Sequence, residues 1–189
     1  MIVSGAERSQ GATATPGGPG AQSAAAAVHP LRGLRSPGPA IRVHGDYHLG
    51  QVMQTDAGWF VLDFEGEPAR PLAERVAPTS PLKDVAGMLR SFDYAARFAL
   101  TERDPSEMER ATTLAASWEA RNREAFVEGY RGATGISELL ATGASAEIVL
   151  SAFELDKALY ELDYERAYRP EWLPIPLAAI RSLLGRLGG

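Results

Sequence analysis

Between residues 41 and 68 the chain reads IRVHGDYHLGQVMQTDAGWFVLDFEGEP, and no other stretch constrains the fold as much. It places two His, three Asp, two Gln and two Glu between short apolar runs. IRV has the pattern of a short strand, and HGDYHLG that of a loop. QVMQT and WFVLDF then flank Asp56-Ala57-Gly58, which reads as a three-residue hairpin loop with glycine at a left-handed position. Counting outward from that loop sets Thr55 opposite Trp59, Met53 opposite Val61 and Gln51 opposite Asp63. A bulge at the turn would slip this register by one. The polar residues thereby collect at the open end of the hairpin, beside the loop.

The flanking sequence differs on the two sides. Residues 1–40 are rich in Gly, Pro, Ala and Ser and nearly free of large apolar side chains. Such a segment buries too little surface to offset its ordering entropy, so it reads as a disordered lead-in. Residues 41–189 read as one lobe. Ser80-Pro81 supplies a helix cap and first turn, followed by Leu82, Val85, Ala86, Leu89, Phe92 and Ala96 at helical spacing. Further helices are expected over about 106–131, from Ser145 to 168, and, after Pro170, Pro174 and Pro176, over about 177–187. A few strands followed by helices give an α+β fold in which helices dominate.

Composition narrows the function. Nineteen basic residues stand against 24 acidic ones, for a net charge of −5 without a basic stripe, which argues against nucleic acid and anionic membrane surfaces. The chain has no Cys, which removes disulfides, thiolate metal sites and cysteine nucleophiles. No apolar run reaches the roughly 18 residues of a membrane helix, and MIVSGAERSQ lacks a signal core. A cytoplasmic protein is expected.

Asp46, Gln51 five residues later and Asp63 beyond the hairpin have the layout used in phosphoryl transfer. One Asp accepts a hydroxyl proton, while an amide and a second Asp offer hard oxygens to Mg²⁺. Two other readings remain: His44, His48 and Asp63 as metal ligands of a hydrolase, or a polar loop satisfying its own backbone. Neither accounts for the meeting of Gln51 with Asp63. Glu65 reads equally as a supporting carboxylate or a solvated strand end. Asp84, in the first turn of its helix, is favoured there by the helix dipole.

HGDYHLGQ followed by VLDFEGEP resembles the catalytic and metal-binding motifs of the aminoglycoside-phosphotransferase-like kinases. Gln in place of the usual Asn, with DFEGEPARPLAER and SPLKDVAGMLRSFDYAA, is more similar still to the maltokinases, which also occur fused to trehalose synthase. The resemblance runs from about 41 to 187. It implies the C-terminal lobe of a protein-kinase-like fold that makes maltose 1-phosphate from maltose and ATP with Mg²⁺. Asp46 would be the catalytic base, and Gln51 and Asp63 would hold the metal. His44 would support the loop, His48 would lie near the transferred phosphate, and Asp84 would accept hydrogen bonds from the loop backbone.

Unrolled at about 100° per residue, the helix beginning at Ser145 places Ile148, Ala152, Leu155, Leu159 and Leu162 on one side. Phe153, Lys157, Tyr160, Glu161, Tyr164 and Tyr168 fall opposite. Rings mixed with charges suit a pyranose, although a second packing face with snorkelling tips explains them as well. The resemblance implies that Lys157, Tyr160, Glu161 and Tyr164 bind maltose. Trp172 reads as core. The only two lysines, Lys83 and Lys157, follow the catalytic loop, and nothing before residue 41 has strand patterning. An N-terminal ATP-binding lobe is therefore expected to be missing from this chain, and its absence or a trehalose synthase partner would bear on activity. A non-catalytic remnant that binds an α-glucoside or a partner, and a related kinase for another small hydroxylated substrate, are the alternatives.

Overall fold

A computed structural model describes residues 38–101, 103–140 and 144–187. Up to position 37, the lead-in expected over 1–40 lies outside the described residues. Strands β1 (Val52–Thr55) and β2 (Gly58–Val61) form a two-stranded antiparallel sheet. Helices α1 (Leu72–Val76), α2 (Leu82–Phe98), α3 (Met108–Gly132), α4 (Ile136–Leu139), α5 (Ala144–Tyr168) and α6 (Pro174–Leu187) follow. Helices dominate, as the α+β reading has it. No helix among the described residues is long and apolar enough to cross a membrane.

Helix α2 is the centre of the packing. Its apolar positions Leu82, Val85, Ala86, Leu89, Phe92 and Ala96 are all buried, in line with their spacing. Ser80 Oγ accepts the Leu82 N–H at 3.3 Å, and the Ser80 carbonyl accepts Lys83 N–H at 3.0 Å, which satisfies groups that a helix start leaves open. One face of α2 packs with Val149 of α5 and with Phe126, Val127 and Tyr130 of α3. Further along α5, Leu155 and Ala158 meet Ala179 and Leu183 of α6 in a second cluster.

Four expectations need correction. IRV forms no strand; Ile41 makes one antiparallel bridge with Thr79. The last helix begins at Pro174 rather than near 177, because prolines in a first turn forfeit no hydrogen bond. On α5, only Leu155 of the expected apolar stripe is fully buried. Val149, Glu154, Leu155, Ala158 and Glu165 take the interior because the helix packs on α2 and α6 together and its glutamates are ion-paired. The hairpin register is also one residue tighter than counted: Val52 pairs with Val61, Met53 with Phe60, Gln54 with Trp59 and Thr55 with Gly58. Gly58, at φ +123°, closes a two-residue Asp56-Ala57 turn in a conformation that L side chains rarely adopt. Thr55 Oγ1 fixes that turn, accepting from Ala57 N–H and donating to the Gly58 carbonyl, each at 3.2 Å.

Candidate active site

The HGDYHLG loop is held on α2 by its backbone. The Asp84 carboxylate accepts the N–H of His44 at 2.7 Å and that of Gly45 at 2.8 Å. Ser91 Oγ accepts the Leu49 N–H at 3.1 Å. The loop lies so close to the helix that a Cβ on Gly87 would stand 2.6 Å from the Tyr47 carbonyl oxygen, so this α2 position has room for no side chain. His44, buried, bonds the Leu62 carbonyl through Nε2 at 2.6 Å, while its Nδ1 takes the Asp46 N–H at 3.3 Å. A carbonyl only accepts, so the partners assign the proton to Nε2. His44 thus ties the loop to the end of β2.

Despite the slipped register, Gln51 and Asp63 still meet. Leu62 N–H donates to the Gln51 carbonyl at 2.9 Å, so Leu62 and not Asp63 takes the place opposite Gln51. Asp63 then turns back with φ +58°, the one non-glycine residue at positive φ among those described. Gln51 Nε2 donates to Asp63 Oδ2 at 3.2 Å. Turning the amide over would replace that nitrogen by Oε1. With the amide so turned, Gln51 Oε1 and Asp63 Oδ2 would offer Mg²⁺ two hard oxygens. No three His, Asp or Glu gather into a cation cluster among the described residues. Two protein oxygens suit Mg²⁺, which commonly keeps water and phosphate oxygens in its shell.

Asp46 lines a groove of about 820 Å³ bordered by the loop, α2, α5 and the 170–172 turn. His48, with Nε2 3.9 Å from Asp46 Oδ2, also lines it; burial holds its imidazole below the ordinary value while Asp46 pulls the other way. Tyr160, Tyr164, Tyr168 and Trp172 also line the groove. Trp172 therefore borders the groove as well as packing on Phe98, and Arg169 lies 4.1 Å over its ring. Lys157, Tyr160, Glu161 and Tyr164 share this groove with Asp46, and all four are engaged by other side chains. Lys157 and Arg70 lie 4.9 and 5.4 Å from the Tyr160 ring centroid, and Arg169 lies 5.3 Å from that of Tyr164. Lys157 bonds Asp46 and Glu67. Glu161 receives Arg90 Nη2 at 2.6 Å, and burial pushes its carboxyl up against that pull.

Several groups at the site have no forewarning in the sequence. Glu67 is only 2 % exposed and pairs with Lys157 and Arg70, whereas Glu65, the carboxylate singled out beforehand, faces solvent. Arg90, 2 % exposed, reaches Asp93 at 2.5 Å as well as Glu161, and Arg97 completes the chain through Asp93 at 2.8 Å. Tyr94 donates to Glu165 at 2.6 Å, and Arg169 grips the same carboxylate with two nitrogens at 2.7 and 2.8 Å. Only the i, i+3 and i+4 spacing of Arg90, Asp93, Tyr94 and Arg97 along α2 is visible in the sequence.

No protein-family model matches the chain. Glucosamine kinases from Streptacidiphilus jiangxiensis and Mycolicibacterium smegmatis are 30% and 34% identical to it over 149 residues. That alignment takes in 77% of this chain but 32% and 35% of the relatives, so the chain spans about a third of the curated relatives it matches. Among solved structures, crystal form B of glucosamine kinase superposes with a TM-score of 0.70 at 27% identity, covering 87% of this chain and 38% of that one. Glucosamine kinase in complex with glucosamine, ADP and inorganic phosphate gives 0.70 and 27% over 87% of this chain and 37% of that one. The helix-dominated fold with its small sheet is thus similar to part of glucosamine kinase, and the sequence relatives are sugar kinases rather than maltokinases by name.

Proposed function

We propose that residues 41–189 are the acceptor-side, C-terminal lobe of an ATP-dependent sugar kinase. The observation that carries this reading is the groove that Asp46 lines together with aromatic and charged side chains. Asp46 takes the proton of a sugar hydroxyl as its oxygen bonds the terminal phosphorus of ATP, and the bond from that phosphorus to the bridging oxygen breaks to leave ADP. Gln51 and Asp63 are the residues that would hold Mg²⁺, which when bound neutralises charge on the phosphate oxygens. His48 lies at the phosphate side of Asp46, and His44 and Asp84 keep the loop in place. Tyr160 and Tyr164 offer ring faces to the sugar.

The donor side requires a nucleotide-binding lobe. Nine of the fifteen large apolar side chains exposed among the described residues lie between Leu49 and Val76, including Trp59 at 68 % and Phe64 at 59 %. Such a concentration suits a face that another lobe covers. The sugar itself is open between two finer readings: glucosamine, from the names of the relatives, and maltose phosphorylated at its anomeric hydroxyl, from the motif resemblance.

The test is ADP release with ATP, Mg²⁺ and either sugar once a nucleotide-binding lobe is supplied to the chain, with sugar binding to the chain alone measured separately by calorimetry. The expected result is sugar binding together with turnover that falls about 10²–10⁴-fold in Asp46→Asn. Sugar bound without ADP release supports the alternative, a non-catalytic sugar-binding remnant. Failure to bind either sugar overturns the reading.

A further inference from the structure

The geometry points to Lys157 as a positioning residue that clamps the catalytic carboxylate, rather than as a sugar ligand; the inference rests on the sugar-kinase reading above. Its Nζ lies 2.8 Å from Asp46 Oδ1 and 2.7 Å from Glu67 Oε1, so a single ammonium on α5 joins two carboxylates from the loop and from beyond the hairpin. The Tyr160 ring lies beside it, with Nζ 4.9 Å from the centroid. Little of the ammonium's hydrogen-bonding capacity is left for a sugar hydroxyl, since two of three donors are committed.

This arrangement divides the work at Asp46. Oδ1 is anchored by Lys157, while Oδ2, the oxygen nearer His48, is left to receive the hydroxyl proton. Glu67 is what makes the clamp suitable for a base. When Asp46 takes up a proton, the ammonium keeps a full anionic partner in Glu67 and is not stranded in a buried position. Glu67 is in turn fixed by Arg70, which also bonds Asp156 at 2.7 Å, so the clamp is anchored from the surface side. Burial alone would pull the Lys157 ammonium down; Glu67 and Asp46 together carry it above the ordinary lysine range. No sequence motif joins these residues, because Lys157 lies 111 positions from Asp46.

The chain's having two lysines makes the test direct. In chain labelled with ¹⁵N-lysine, two ammonium signals report on Lys83 and Lys157, and Lys157→Met assigns them. The expected result is that Asp46→Asn and Glu67→Gln each bring the Lys157 titration down by about 1 pH unit and leave the Lys83 signal in place. A Lys157 signal indifferent to both substitutions overturns the clamp. For function, with a nucleotide-binding lobe supplied, Lys157→Met is expected to lower kcat about 100-fold, the order of loss from misplacing a reacting group. KM and the calorimetric sugar affinity should stay within about threefold, well under the cost of a lost charged ligand. Lys157→Arg, which keeps the charge, should recover part of kcat. A tenfold or greater loss of sugar affinity at unchanged kcat would show a ligand and overturn the proposal. Failure of the kinase reading looks different: the unaltered chain, with a nucleotide-binding lobe supplied, releases no ADP with either sugar, and the clamp is then decided by the lysine signals and by the sugar affinity of Lys157→Met.

Discussion

The hairpin and the helical body are built on opposite terms. No residue of β1 or β2 is buried, and Met53, Trp59, Phe60 and Val61 all face solvent. Helix α2, by contrast, buries ten of its positions, among them the charged Arg90 and Asp93. The hairpin's apolar surface has little to pack on within the described residues, while the body satisfies even its charges internally. The site straddles the two: Asp46 and Lys157 belong to the body, Gln51 and Asp63 to the hairpin. One half of the candidate chemistry is therefore held by a core, and the other half by a two-stranded ribbon of a kind that is marginal without support.

Three variants probe that contrast, in decreasing order of effect. Arg90→Met removes the cation between Asp93 and Glu161 and leaves buried carboxylates facing each other. It should cost about 3–5 kcal/mol, measured by denaturant unfolding; a loss under about 1 kcal/mol would remove the claim that the body depends on its internal charges. Gly87→Ala forces a methyl into the Tyr47 carbonyl. A cost of about 1–3 kcal/mol is expected, with turnover lost as the loop lifts from α2; an unchanged melting temperature together with unchanged activity would show that the close approach is not kept in solution. The paired change Trp59→Ser with Phe60→Ser should shift the stability of the chain by no more than about 0.5 kcal/mol while raising its solubility. Large destabilisation there would mean that the hairpin face packs on this chain after all.

Much of this contrast was legible beforehand, and unevenly so. The apolar spacing from Leu82 to Ala96 marks α2 because a core-facing helix repeats its buried positions every three or four residues. The meeting of Gln51 with Asp63 was legible even though the turn was read one residue too long. The positive φ of Asp63 returned its carboxylate to Gln51, a compensation that strand counting does not contain. Helix α5 misled, since its interior is shared by Val149, Ala158 and ion-paired glutamates and so has no clean apolar stripe. The two short helices α1 and α4 span five and four residues, too few for a period to show.

By itself, the sequence determined the local matters: the apolar face of α2, the presence of a hairpin after the loop, and which polar residues gather near Asp46. These follow from backbone preference and short-range periodicity, which act between neighbours along the chain. The tertiary structure alone decided the partners. It buried Glu67 rather than Glu65, bound Lys157 to Asp46, gave Glu161 to Arg90 and set Trp172 on the groove. An ion pair depends on distance in space and on the desolvation of both charges, and neither quantity is written in the spacing of residues along a chain.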